Sequence, residues 1–128
     1  MTQRIANIAL VVDDYDNAIE FYTSKLHFTL VEDTPISATK RWVLVAPPGS
    51  TGPFLLLAKA DNQRQSERVG DQTGGRVFLF LHTDDFQGDY QNLLDQGVKI
   101  VREPVMQPYG TVAVFADLYG NLWDLIEP

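Results

Sequence analysis

Asn7-Ile8-Ala9-Leu10-Val11-Val12-Asp13-Asp14-Tyr15 and Phe78-Leu79-Phe80-Leu81-His82-Thr83-Asp84-Asp85-Phe86 carry one pattern twice, 71 positions apart (78 − 7). Each is an apolar run closed by two acids and an aromatic. Such a run, rich in β-branched or aromatic residues and bounded by polar ones, reads as a buried strand. The acids read as helix N-caps: Asp14 or Asp16 in the first half, Asp85 or a neighbour in the second. A carboxylate there accepts from the free N–H groups of a helix start and suits its positive dipole end. The same pairs could bind a cation, but capping explains them more simply. Ala18, Ile19, Phe21, Tyr22 and Leu26 follow at helical spacing, to about Lys25; in the second half Tyr90, Leu93 and Leu94 do the same. A repeat of this length decides architecture before any single motif does.

The rest of the chain fills in both halves. Phe28 to Glu32, Lys40 to Ala46 and Phe54 to Lys59 read as strands, with a turn at Pro47-Pro48-Gly49-Ser50. Arg76 to His82 opens the second half. Gly97 reads as a helix-end glycine, Val98 to Glu103 as a strand stopped by Pro104, and Thr111 to Ala116 and Leu122 to Ile126 as strands around Tyr119-Gly120-Asn121. The expected order in each half is strand, helix, strand, strand, strand, an α+β arrangement within a single domain, 1–128. Module one covers about 4–60 and module two 76–127. Between them, 61–75 is polar and without periodicity; a linker of that length in a small domain is disordered or functional.

Bulk properties narrow the function. The chain has 128 residues, a net charge of −7 and no cysteine. One domain of this size buries a genuine core. The acidic balance argues against a nucleic-acid partner, which needs a basic face. Without cysteine there is neither a disulfide framework nor a thiolate nucleophile. Met1-Thr2-Gln3-Arg4 runs directly into a strand-like segment, so a cytoplasmic location is expected. No apolar run is long enough to span a bilayer, so no membrane partner is expected.

Three segments together resemble the vicinal oxygen chelate superfamily, which includes glyoxalase I, extradiol dioxygenases and the fosfomycin and bleomycin resistance proteins. They are Asn7 to Asp13 with Phe21-Tyr22, Gly97-Val98, and Phe115-Ala116-Asp117-Leu118-Tyr119-Gly120-Asn121-Leu122-Trp123-Asp124-Leu125. The last is similar to the family's closing F-x-D-P-x-G-N-x-x-E-L hairpin. The resemblance covers essentially the whole chain. It implies two βαβββ modules forming a U-shaped mixed sheet around a cavity, and a homodimer.

In metal-dependent members of that superfamily, four wall positions carry His or Glu. Carried over, these positions fall on Asn7, Leu56, Phe78 and Asp124. Hydrocarbon cannot coordinate a divalent ion, and an amide oxygen is a weak ligand. No metal and no other cofactor is therefore expected. A two-residue slip in the register would bring His82 toward the site, but would put Ala9 and Phe54 or Ala58 at the first-half positions, which are no better.

Two residues could carry chemistry. His82 is expected on one strand face with Phe78 and Phe80; it contacts ligand or moves a proton there, or it is a strand-end histidine bonded to Asp84 or a turn. Asp124 sits in the otherwise apolar Leu122–Ile126 run, where a carboxylate must be paired or shift its pKa. His27 takes the place held by Gly97 in the second half, a left-handed helix end. The expected ligand-binding wall is Asn7, Trp42, Leu56, Phe78, Phe80, His82 and Asp124. Val114 and Leu44 are expected inward, with Tyr109 and Met106 nearer a rim. Such a wall suits a small, flat apolar or aromatic ligand that carries a donor or positive group toward Asp124. The first reading of function is therefore a metal-free small-molecule-binding protein. The alternative is an enzyme, either a metal-dependent lyase or dioxygenase or a metal-free catalyst using His82 and Asp124 as acid and base. A third is an interaction module without a small ligand.

Overall fold

The doubled acids do start helices. In a computed structural model that describes residues 1–128, the Asn17 N–H donates to Asp14 Oδ2 at 2.8 Å, and the Gly88 N–H donates to Asp85 Oδ1 at 3.1 Å. Asp14, not Asp16, is thus the cap of α1 (Tyr15–Glu20), and Asp85 caps α3 (Phe86–Asp95). The first helix does not run unchanged to Lys25. At Phe21–Lys25 it widens into a π-helical turn, in which the Leu26 N–H donates to the Phe21 carbonyl. The extra residue per turn brings Phe21 and Tyr22, adjacent in sequence, both into the core, with rings edge-on at 5.2 Å. Each half then leaves its helix through a left-handed residue, His27 at φ 60° and Gly97 at φ 71°. The histidine bears a steric strain that glycine avoids.

The chain forms two compact units, Met1–Val69 and Gly70–Pro128. The first holds β1 (Asn7–Val12), β2 (Thr29–Pro35), β3 (Arg41–Ala46) and β4 (Phe54–Lys59), in sheet order β1-β4-β3-β2. The second holds β5 (Val77–His82), β6 (Ile100–Gln107), β7 (Gly110–Ala116) and β8 (Leu122–Glu127), in order β5-β8-β7-β6. In each sheet the opening strand pairs in parallel with the closing one, and the other pairs are antiparallel. The fold is α+β, two mixed four-stranded sheets built from one βαβββ plan.

Alternation sets the cores. In the first unit Leu10, Val12, Val43, Val45, Leu55 and Leu57 are buried, together with Tyr15 and Ala18 of α1. In the second, Ala113, Phe115, Trp123 and Leu125 are buried with Phe86 and Leu93 of α3; the Phe115 and Trp123 rings stack at 5.9 Å.

Two expectations are corrected. Pro104 does not stop β6, which runs from Ile100 to Gln107. The β6–β7 register shifts between Arg102 and Val105, so the proline falls where the ladder is already interrupted, on a strand at one edge of its sheet. The segment 61–75 is not structureless: Asn62 accepts from the Gln65 N–H and caps a single-turn α2 (Gln63–Ser66), and turns follow. No helix is long and apolar enough to cross a membrane.

Candidate functional site

Cross-strand partners stand on the same face of a sheet, so the ladders show which side chains meet. In the first unit Glu32, Leu44, Leu56 and Ala9 form one row across β2, β3, β4 and β1. In the second, Arg102, Val114, Asp124 and Phe80 form the equivalent row. The next row holds Val105, Val112, Ile126 and His82. His82 and Asp124 therefore share a face, one row apart, about 6–7 Å along the strands. No hydrogen bond joins them.

The opening-strand residues in the rows of Leu56 and Asp124 are Ala9 and Phe80, whereas Asn7 pairs with Phe54. Phe78 lies where the β5–β8 register shifts, and its ring meets Trp123 edge-on at 6.4 Å. That shift breaks the alternation expected to carry Phe78 alongside Phe80.

Asp124 is half-buried and lines a small cavity of about 70 Å³ with Arg102, Val112 and Val114. Burial raises its carboxyl above the ordinary value of 3.8, and the charge of Arg102 pulls it partly back. The folded state thus takes up a proton at higher pH than the unfolded chain does. The stabilisation this gives is present below the ordinary value and lost as pH rises through the folded one. Asp124→Asn is accordingly expected to melt higher than the parent at neutral pH. The gap narrows as pH falls toward about 4, which thermal melts followed by circular dichroism across that range would measure.

The larger cavity belongs to the first unit. It measures about 650 Å³ and is walled by Trp42, Leu56 and Ala58, with Tyr15, Lys40 and Lys59 among the polar residues around it. That volume accepts a drug-sized molecule. The turn beside it is fixed: Ser37 Oγ accepts from the N–H groups of Thr39 and Lys40, and the Lys40 carbonyl accepts from those of Ile36 and Ser37. Arg41 ties the β2–β3 hairpin to α1. It donates to both carboxylate oxygens of Asp33 at 3.0 and 2.6 Å and to Asp16 at 2.9 Å, and lies 5.2 Å from the Tyr15 ring centre. Its guanidinium holds the Asp33 carboxyl below the usual range.

Of the seven wall residues read from the sequence, Trp42 and Leu56 line one cavity together, and Asp124 lines another. Phe80 and His82 share Asp124's face and are exposed. Arg102, Lys40, Lys59 and Tyr15 were not foreseen. The donor set does not fit a divalent ion: Leu56, Phe78, Ala9 and Phe80 have no lone pairs, and in neither unit do three His, Asp or Glu side chains converge.

Comparison with known proteins agrees with this fold. A protein of Shewanella frigidimarina (strain NCIMB 400) is 59% identical over 128 residues, covering 99% of this chain and 95% of its own. YurT of Bacillus subtilis (strain 168) is 32% identical over 125 residues, covering 97% of this chain and 98% of its own. The crystal structure of UcmS2 matches at a TM-score of 0.85 and 31% identity over 100% of both chains. That of TnmS3, an antibiotic binding protein from Streptomyces sp. CB03234, matches at 0.76 and 29%, covering 99% of this chain and 97% of its own. The sequence profile of the Glyoxalase/Bleomycin resistance protein/Dioxygenase superfamily matches residues 4–125. With one βαβββ plan built twice and that profile spanning both halves, the chain belongs to the Glyoxalase/Bleomycin resistance protein/Dioxygenase superfamily.

Proposed function

We propose that this protein is a metal-free binding protein of its superfamily, a cytoplasmic homodimer that holds a small, flat, largely apolar ligand. The observation that carries the reading is the cavity wall of the first unit. In the register that the family resemblance implies, Leu56 takes a position where metal-dependent relatives carry a donor, and it lines the 650 Å³ cavity with Trp42 and Ala58. Hydrocarbon and indole at that place suit an aromatic ring and not an ion. The antibiotic-binding TnmS3, similar over nearly the full length, supports a binding role.

Titration with a neutral tricyclic probe, anthracene carboxamide, tests the reading. Saturable quenching of tryptophan fluorescence is expected, unaffected by a chelator. Trp42→Ala is expected to weaken binding about tenfold, the loss of one aromatic contact. Stoichiometric iron, zinc, manganese or nickel, lost on Asp124→Ala or His82→Ala, would overturn it and favour the metal-dependent lyase or dioxygenase. The metal-free acid/base alternative draws on the raised pKa of Asp124 with His82 one row away. Turnover abolished by either substitution in metal-free protein would establish it.

The homodimer rests on β2, exposed along its whole length, and on β6, exposed from Val101 to Gln107. Leu30, Val31, Val101, Val105 and Met106 are uncovered there. Uncovered apolar side chains along an edge strand suit an interaction site, and two-fold pairing is the commonest way to cover one. Light scattering is expected to give twice the 14.4 kDa chain mass; a chain-mass value at every concentration would refute it.

A further inference from the structure

We propose that the first unit's cavity takes an aromatic carboxylate, its ring against Trp42, Leu56 and Ala58 and its anionic end between Lys40 and Lys59. The proposal rests on the ligand-binding reading above and adds the sign of the ligand's charge. Which hydrogen-bonding groups at the cavity still have capacity decides it.

The acceptors are engaged except for one carboxylate oxygen of Asp61, which no ion pair or hydrogen bond uses. Ser37 Oγ accepts two backbone N–H groups, and Asp61 Oδ1 accepts from Asn62. Asp14 caps α1 and Asp16 is paired with Arg41; both line a neighbouring recess of about 410 Å³ that shares Lys40 and Lys59 with the cavity. The Arg41 guanidinium is held by Asp33 and Asp16.

The donors are not engaged. Neither Lys40 nor Lys59 forms an ion pair, although both line the cavity. Tyr15, only 7% exposed, accepts from the Arg41 backbone N–H at 3.1 Å, and no hydrogen bond uses its own proton. A phenol that accepts on one side is left to donate on the other. Two ammonium groups and one hydroxyl therefore stand against the single unpaired carboxylate of Asp61, which leaves donors and positive charge in excess beside an apolar wall. A carboxylate supplies both oxygens and the charge. A cation would meet like charge at both lysines. The net charge of −7 describes the whole chain and leaves this local field intact.

Three congeners distinguish the possibilities: anthracene carboxylate, carboxamide and methylammonium, measured by titration calorimetry on the full-length protein. The carboxylate is expected to bind about tenfold tighter than the carboxamide at low salt, the size expected of two exposed ion pairs. The difference shrinks as salt screens the lysines. Lys40→Met with Lys59→Met, at two exposed positions, is expected to erase the difference between the two probes. If the three bind alike, if the ammonium binds best, or if the carboxylate keeps its advantage in the double variant, the charge assignment is wrong while the ligand-binding reading stands. If none binds, the ligand-binding reading falls and this proposal with it.

Discussion

Asp117→Ala is expected to lower the unfolding free energy by about 2–4 kcal/mol, since buried turn N–H groups lose a charged acceptor. Asp117 is 5% exposed. Its Oδ1 accepts from the N–H groups of Tyr119 at 2.9 Å, Gly120 at 3.0 Å and Asn121 at 2.9 Å, and its Oδ2 accepts from the Asn121 side-chain amide at 3.0 Å. Hydrogen bonds to a carboxylate are stronger than neutral ones. Removing it takes this acceptor from the Tyr119 and Asn121 N–H groups in the turn between β7 and β8, at the entry to the strand that carries Asp124; Gly120 N–H keeps the Asp117 carbonyl at 3.1 Å. Chemical denaturation would read the loss directly, with a matching fall in melting temperature. Asp117→Asn is expected to fall between parent and alanine, because its amide keeps one acceptor but turns an N–H group toward Asn121. A loss under about 1 kcal/mol for the alanine variant would mean that the turn holds without its carboxylate.

The second large effect is expected at Gly70. A Cβ built there would lie 2.0 Å from the carbonyl oxygen of Tyr119 and 2.9 Å from its carbon, and the backbone sits at φ +79°. The obstacle is main chain, which cannot swing away as a flexible side chain does. Gly70→Ala is expected to cost about 2–4 kcal/mol, combining left-handed strain with overpacking. Gly74 supplies the control: it has φ +68° with nothing within 4 Å of its would-be Cβ. Gly74→Ala should cost only the conformational part, about 1 kcal/mol. Equal losses at the two positions, read by the same denaturation experiment, would show that the contact with Tyr119 yields. The two sites also meet through Asn121, whose side-chain oxygen accepts from the Gln72 N–H at 3.4 Å. The Asp117 and Gly70 effects are therefore expected to be non-additive.

These two positions mark where sequence reading succeeds and where it stops. The run 115–125 resembles a family hairpin and could be placed as a turn between strands. That Asp117 binds the turn's own N–H groups, and that Gly70, 49 positions earlier (119 − 70), packs onto it, follow from geometry and leave no periodic trace. Alternation was legible, because burial on one sheet face imposes period two; Trp42 and Leu56, expected on one wall from the family resemblance and the internal repeat, line the same cavity. Alternation failed at Phe78, where the ladder shifts, and the rule that proline ends a strand failed at Pro104, where the ladder is already interrupted. The π-helical turn was not legible because its apolar residues keep a spacing close to that of an α-helix. Arg102 beside Asp124 was missed for a related reason. Knowing that they share a row requires the register of three strands, one of them interrupted, and no single segment carries that. Lys40, Lys59 and Tyr15 come together only once the hairpin closes over α1.

Pro104 has a consequence for how the protein behaves in concentrated solution. Within its own sheet β6 has a free flank, as β2 does in the other. An uninterrupted flank would template another chain's backbone and let copies polymerise. Here Pro104 offers no N–H and the β6 ladder shifts twice; the β2 ladder shifts once, and its Glu32, Asp33 and Pro35 are exposed. Backbone zippering along β2 and β6 is thereby blocked, although apolar side chains remain uncovered there. Contact between copies through these two strands is thus steered toward closed, side-chain-mediated assembly and away from fibres.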